Sequence, residues 1–330
     1  MSIDTYLQRN SAELRVNSPI HCLDLLRDFT GLEEDKYAVG SGRGAAHLFR
    51  GHDDARHPLH TTLDRYAGAR KRPAEEFLLR QFRRRMHQYL PPQSLPKSDL
   101  VTLALMQHYG VPTRFLDVTR SPYVALYFAV RNALKEQDAA VWAFYCTNIR
   151  TVSLNRVFEK DPGLRKEIGR FYDPRAAFTR QELFSKWFMS EIWYPNPQNP
   201  EPLRHHEIIL DLEPFTMSAR LSAQQGLFLV SGSPTQTFEE TLVDLLEEIE
   251  GQIGEGGSEP SVKKIVIPGA FRRPLMRHLE KMNNYCGHAV RRPRRARCFP
   301  TREADVNGWT GFPRRSLGSP YLERAHRHEL

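Results

Sequence analysis

Residues able to do chemistry crowd one short, otherwise apolar stretch. In QHYGVPTRFLDVTRSPYVALYFA, residues 107–129, the side chains of His108, Tyr109, Arg114, Asp117, Thr119 and Ser121 stand among Leu, Val, Phe and Ala. Polar groups in such a setting need partners or a purpose. An imidazole, a phenol, a guanidinium, a carboxylate and two hydroxyls could line a pocket. A second arginine, Arg50, closes the apolar run HLF at 47–49, and it serves either as a surface ion pair or as a ligand contact. Arg83, Arg84 and Arg85 pose the same choice, between a solvated rim and contact with a phosphate-bearing ligand.

The elements that position these residues can be read from local signals. Gly110 followed by Pro112 ends a helix, because glycine takes the left-handed cap and proline cannot continue the helix. Arg114–Thr119 then reads as a strand. Alternation along it places Phe115, Asp117 and Thr119 on one face and Arg114, Leu116 and Val118 on the other. Ser121–Pro122 is an N-cap and first-turn pair for a helix buried nearly all round, over Tyr123–Val130.

Other strands are expected at 46–51, 139–145, 207–212, 221–230 and 263–268. Helices are expected at 19–32, capped by Ser18; at 73–90, with Phe77, Leu78, Phe82, Met86 and Tyr89 on its core face; after Ser98; at 238–250; and at 272–282. Gly40, Gly42 and Gly44 give a flexible approach without the spacing of a dinucleotide loop. Residues 150–200 do not resolve into elements. Within them LFSKWFMSEIWY reads as a buried helix or a partner-binding surface, and YPNPQNPEP as a loop. Strands and helices mix without βαβ regularity, which is an α+β pattern.

Composition bounds the class. Forty per cent hydrophobic and 26% charged residues in 330 suit a globular chain with a full core. No apolar run approaches the roughly 20 residues of a membrane span, and the N-terminus has no signal-peptide core. The four cysteines, Cys22, Cys146, Cys286 and Cys298, form no CxxC pair. They read as reduced thiols of a cytoplasmic protein, with no metal site.

Net charge is +8, of which ten Arg against four Asp or Glu put +6 into residues 285–330. That segment has lost apolar periodicity. It reads as a disordered basic tail, or as a non-native end of the kind an out-of-frame reading of GC-rich DNA produces. The organisation expected is a helical lead-in over 1–40, one domain over 41–284 and this tail over 285–330.

LFRG at 48–51, the block at 107–129, AAVWAFY at 139–145 and AQQGLF at 223–228 together resemble the FRG domain family of bacterial and phage proteins, over roughly residues 20–284. CFPTREAD near the C-terminus departs from the family's closing segment. The order of elements is similar to that of ADP-ribosyltransferases. The fold so implied is α+β, a mixed or antiparallel split sheet flanked by helices.

On that resemblance Arg50 holds a phosphate or ribose of NAD, Thr119 and Ser121 shape the nicotinamide pocket, and His108, Tyr109, Arg114 and Asp117 line the cofactor site. A late strand would supply a glutamate, yet at that place stand Gln224 and Gln225. An amide can hydrogen-bond but cannot accept a proton as a carboxylate does. Glu207, beside His205 and His206, is the alternative carboxylate.

Two functions follow. One is an NAD-consuming ADP-ribosyltransferase-like enzyme, acting on a protein or nucleic-acid target in phage defence or toxin biology. The other is a non-catalytic nucleotide- or nucleic-acid-binding module. Neither requires a metal or a membrane.

Overall fold

A computed structural model of the protein describes residues 2–29, 47–88, 90–92, 95–96, 99–132, 136–160, 207–213, 219–233, 235–253 and 260–282. The glycine approach, Tyr89, the Ser98 cap, LFSKWFMSEIWY and its following loop, His205, His206, Cys286, Cys298 and the basic tail lie outside them. Among the described residues, seven strands form one mixed sheet in the order β1-β7-β4-β2-β3-β6-β5. The strands are β1 (Glu13–Arg15), β2 (His47–His52), β3 (Phe115–Thr119), β4 (Ala139–Tyr145), β5 (Ile209–Leu212), β6 (Gly226–Ser231) and β7 (Val262–Ile267). Only β1 and β7 run parallel; every other pairing is antiparallel.

The helices are α1 (Ile3–Arg9), α2 (Pro19–Asp28), α3 (Thr62–Ala67), α4 (Lys71–Met86), α5 (Asp99–His108), α6 (Pro122–Val130), α7 (Cys146–Lys160), α8 (Ala219–Ala223), α9 (Phe238–Ile253) and α10 (Arg272–Met282). Each face of the sheet is mostly apolar and packed by helices. On one face Leu48, Leu116, Val118, Phe144, Leu227 and Leu229 pack with α1, α7 and α9. On the other, Phe49, Val141, Ala143 and Ile265 pack with α2, α6 and α10. The architecture is therefore α+β, a mixed sheet between two layers of helices.

Local signals set the element ends. Ser18 accepts a hydrogen bond from the His21 amide and Ser121 one from the Val124 amide, each as an N-cap followed by proline. Gly110, at φ 79°, ends α5, and the Val111 amide reaches back to the Met106 carbonyl. The helix expected at 19–32 ends at Asp28, and that expected at 73–90 runs from Lys71 to Met86.

The strand expected at 221–230 is corrected. Ala219–Ala223 is a short helix, Gln225 turns the chain at φ 47°, and the strand starts only at Gly226. The Leu221 side chain folds back onto Gly226, where a Cβ would come within 2.5 Å of it. Gln224 and Gln225 thus belong to a turn, not to a strand.

Arg114 was expected to face away from Asp117, and it does. It is buried at 3% exposure against Glu75 of α4, at 0%. Its Nε donates to Glu75 Oε2 at 2.6 Å, and its Nη1 donates to the Ser231 carbonyl. A second buried pair, Lys71 with Asp64 at 2.8 Å, lies beside it. Together they clamp α3 and α4 to the sheet near the start of α9, whose Phe238 amide donates to Asp64.

Candidate functional site

The strand β2 carries Phe49, Arg50 and Gly51, and each of the three has a separate physical task. Phe49 points into the α6 face of the core and meets Phe29 edge-on at 5.8 Å. Gly51 faces the same helix so closely that a Cβ would lie 2.0 Å from the Ala125 carbonyl oxygen and 2.7 Å from the Ala129 amide nitrogen. Between them, Arg50 points to the opposite face.

Arg50 sits where the sheet opens. β2 pairs with β4 over six residues, but with β3 at one position only, Phe49 opposite Thr119. Beyond that pair the two strands part, and the Arg50 guanidinium occupies the opening. Its Nη1 donates to the Asp117 carbonyl at 2.7 Å, and its Nε donates to Nε2 of His52 at 2.9 Å. No described carboxylate lies within ion-pair distance of it. Burial pulls its pKa down and Arg65 adds to this, while the charge on Asp117 opposes them. An arginine keeps its charge under such a shift.

The rim of the opening is polar. The Asp117 carboxylate is exposed and accepts from Gln107 Nε2 at 2.9 Å, and Gln107 Oε1 accepts from the Thr113 hydroxyl at 2.5 Å. The last turn of α5 is thereby tied to β3. Arg65 of α3 donates to the His60 carbonyl, and the His57 ring stands 6.3 Å from that of His52. His52 is buried beside Arg50, and burial first, then Arg50 and the His57 side chain, push its pKa down to about 3, against the nearby His57 backbone, which raises it. It is a neutral imidazole.

The residues expected from sequence thus divide. Arg50 meets the backbone of Asp117 at the opening. Thr119, Ser121 and Gln225 form a different junction, on the α6 face. There the Thr119 hydroxyl donates to the Gln224 carbonyl at 2.7 Å and accepts from the Ser121 amide, and the Gln225 carbonyl accepts from the Arg120 amide at 3.1 Å. Arg120 is itself paired with Glu213 at 2.7 Å.

His108 and Tyr109 end α5, where Tyr109 leans on Phe82, and Arg114 is held by Glu75. Four residues at or beside the opening escaped the sequence reading: His52, Arg65, Gln107 as a tether, and Trp142, which faces Arg50 across β4. For His52 there was a signal, since it lies two places beyond Arg50 on one strand and so shares its face.

An α+β domain whose sheet opens around a half-buried arginine without a described ion-pair partner is the class these observations define. Residues 45–138 match the family model of the FRG domain, and the chain carries that domain. The match spans Phe49–Arg50–Gly51 and the block through α6, a narrower stretch than the residues 20–284 expected to resemble the family. No curated protein and no solved structure matches the chain. Among the described residues no helix is long and apolar enough to cross a membrane, and no cluster of His, Cys, Asp or Glu could hold a metal ion.

Proposed function

We propose that the opening between β2 and β3 binds a phosphate-bearing nucleotide, with Arg50 as its anion contact and NAD as the first ligand to test. One observation carries this reading: a partly buried guanidinium held by a neutral imidazole and a carbonyl, with no described carboxylate within ion-pair distance. An arginine so placed favours an anion, and its planar fork suits phosphate.

A catalytic reading is favoured by the exposed carboxylate of Asp117, which leaves β3 on the Thr119 face yet is close enough for its charge to act on Arg50. In ADP-ribosyl transfer the bond from ribose to nicotinamide breaks, nicotinamide leaves with the bonding electrons, and a nucleophile of the target takes its place. A carboxylate stabilises the positive charge that develops on the sugar. Asp117 is the group for that role, in place of Gln225. The acceptor would be a protein or a nucleic acid, in a cytoplasmic setting of toxin action or phage defence.

The test is incubation of the purified protein with adenylate-labelled NAD, with and without a cell extract. Bound label, nicotinamide release and label transfer are read separately. Binding should weaken about tenfold or more in Arg50→Ala, the loss expected for a charged hydrogen bond. Absence of NAD and ADP binding in the wild type, or unchanged binding in Arg50→Ala, overturns the proposal. Binding without nicotinamide release removes only the catalytic reading.

A further inference from the structure

On the face of the sheet that carries Arg50, a polar patch interrupts the apolar core at β2, β4 and β7. Leu48, Phe144 and Val262 belong to the large core on one side of that patch. On the other, Ala55 packs against Ala140 and Val266. Between them lie Arg50 and, directly opposite it on β4, Trp142, with Lys264 next in the same row on β7. His52 completes the patch, its ring 6.4 Å from the indole.

Hydrogen-bond accounting in this patch is one-sided. Arg50 Nε–H uses the lone pair of His52 Nε2, so the proton of the neutral ring is on Nδ1. Trp142 Nε1 is buried without a hydrogen-bond partner, and His52 Nδ1 meets no acceptor within hydrogen-bond geometry, although the His57 backbone lies near enough to the ring to raise its pKa. The two side chains are only 7% and 2% exposed. Buried donors without acceptors are rare in folded proteins, and each calls for an explanation. The charged neighbours do not supply an acceptor. Lys264 lies 5.3 Å over the indole ring and is paired with Glu13, and Arg65 is a cation with donors only.

We propose that His52 Nδ1–H and Trp142 Nε1–H, with the guanidinium of Arg50, form the seat of the ligand's phosphate group. The inference rests on the reading that a nucleotide enters at Arg50, and it adds which side chains grip it. Arg50, His52 and Trp142 each bring an N–H donor to the patch, and the oxygens of a phosphate accept. Arg50 supplies the charge, and the two neutral rings supply direction from a dry, apolar surround. In such a surround a hydrogen bond to an anion is strong. Lys264 holds the indole in place through the face of the ring. The site so built selects for a phosphoryl or diphosphoryl group and is indifferent to the base.

The probes are ADP, inorganic pyrophosphate and adenosine, titrated calorimetrically into the full chain. Trp142→Phe removes one N–H and keeps an aromatic ring beneath Lys264. His52→Gln keeps an acceptor for Arg50 and loses the Nδ1 donor. Each should weaken ADP and pyrophosphate about fivefold to tenfold, and the double variant more than either. Adenosine should bind no better to the wild type than to the variants.

An independent measurement needs no variant to fold. In ¹⁵N-indole-labelled wild type, one of the four tryptophan Nε1–H resonances should move downfield as ADP is added. Should Arg50→Ala abolish ADP binding while Trp142→Phe and His52→Gln bind within about twofold of wild type, the phosphate sits elsewhere and this inference fails while the nucleotide reading survives. No movement of any indole resonance by saturating ADP would also overturn it, leaving these donors to buried water. If the wild type binds neither ADP nor NAD, both readings fall.

Discussion

Gly51→Ala tests why the third residue of Phe49–Arg50–Gly51 is a glycine. The new Cβ would stand 2.0 Å from the Ala125 oxygen, 2.7 Å from the Ala129 nitrogen and 3.0 Å from the Ala125 carbonyl carbon. All three are backbone atoms of α6, so no rotamer change relieves the clash. The helix must retreat from β2 by roughly 1.5 Å to restore an ordinary carbon–oxygen contact. That retreat loosens Ala125, Leu126, Ala129 and Val130, all buried against Phe49, Val141 and Ala143. Overpacking of a dense core costs about 1–3 kcal/mol, and an obstacle made of backbone belongs at the top of that range. For a domain of this size, ~3 kcal/mol lowers Tm by roughly 6–12 °C.

Gly110 is the control, because it is a glycine for a different reason. It sits at φ 79° with nothing within 4 Å of an added Cβ. Gly110→Ala should cost about 1–2 kcal/mol for the left-handed backbone alone, and Gly110→Asn less, since asparagine visits that region readily. At Gly51 the order reverses, and Asn should be worse than Ala. Thermal melts of the four variants decide it. A Gly51→Ala protein melting within about 2 °C of wild type, or a Gly51→Asn protein as stable as Gly51→Ala, would refute the steric account.

Two further outcomes follow from buried charge. Removing either partner of the Glu75–Arg114 pair strands the other without water, so Glu75→Ala and Arg114→Ala should each cost about 3–5 kcal/mol in urea unfolding. The double variant Glu75→Leu/Arg114→Leu should cost much less than their sum, and additive losses would show that the pair does not act as one. His52 should make the fold sensitive to acid. Its folded pKa of about 3 lies below the unfolded value near 6.5, so at pH values between the two only the unfolded chain takes up the proton. Its contribution is therefore complete above the unfolded value and drains away as pH falls, by about 2–3 kcal/mol between pH 6.5 and 4.5. His52→Gln should flatten that slope; equal slopes in both proteins would show that His52 takes up its proton as readily folded as unfolded.

What could be read before folding was whatever is written in neighbouring residues. Ser18–Pro19, Ser121–Pro122 and Gly110 act locally, and each lies where its chemistry requires. The alternation of β3 was equally readable: Leu116 and Val118 enter one core while Asp117 and Thr119 leave it. What could not be read was anything set by a distant partner. Glu13–Arg15 is a strand only because β7 lies beside it, and three mostly polar residues carry no period. Leu221–Ala223 has the apolar character of a strand, and its helical turn follows from the packing of Leu221 against Gly226. Glu75 and Arg114 are far apart in the chain, and neither residue announces the other.

The same division explains why the residues expected to share one wall do not sit together. Arg50, Asp117, Thr119, Ser121 and Gln225 look like one wall when strands are laid side by side, but alternation within a strand fixes faces only relative to that strand. The register between strands adds the missing relation. Phe49 opposite Thr119 puts Thr119 on the α6 face and turns Arg50 to the other. That one pairing separates the hydroxyls of Thr119 and Ser121, already engaged in turns, from the guanidinium, which is not paired with any described carboxylate. It also joins Arg50 to His52 on its own strand and to Trp142 on the next, in a seven-residue apolar run whose two buried faces hide any alternation. Arg50 is thus held by its neighbours in the sheet, and the phosphate contacts to look for lie on their face.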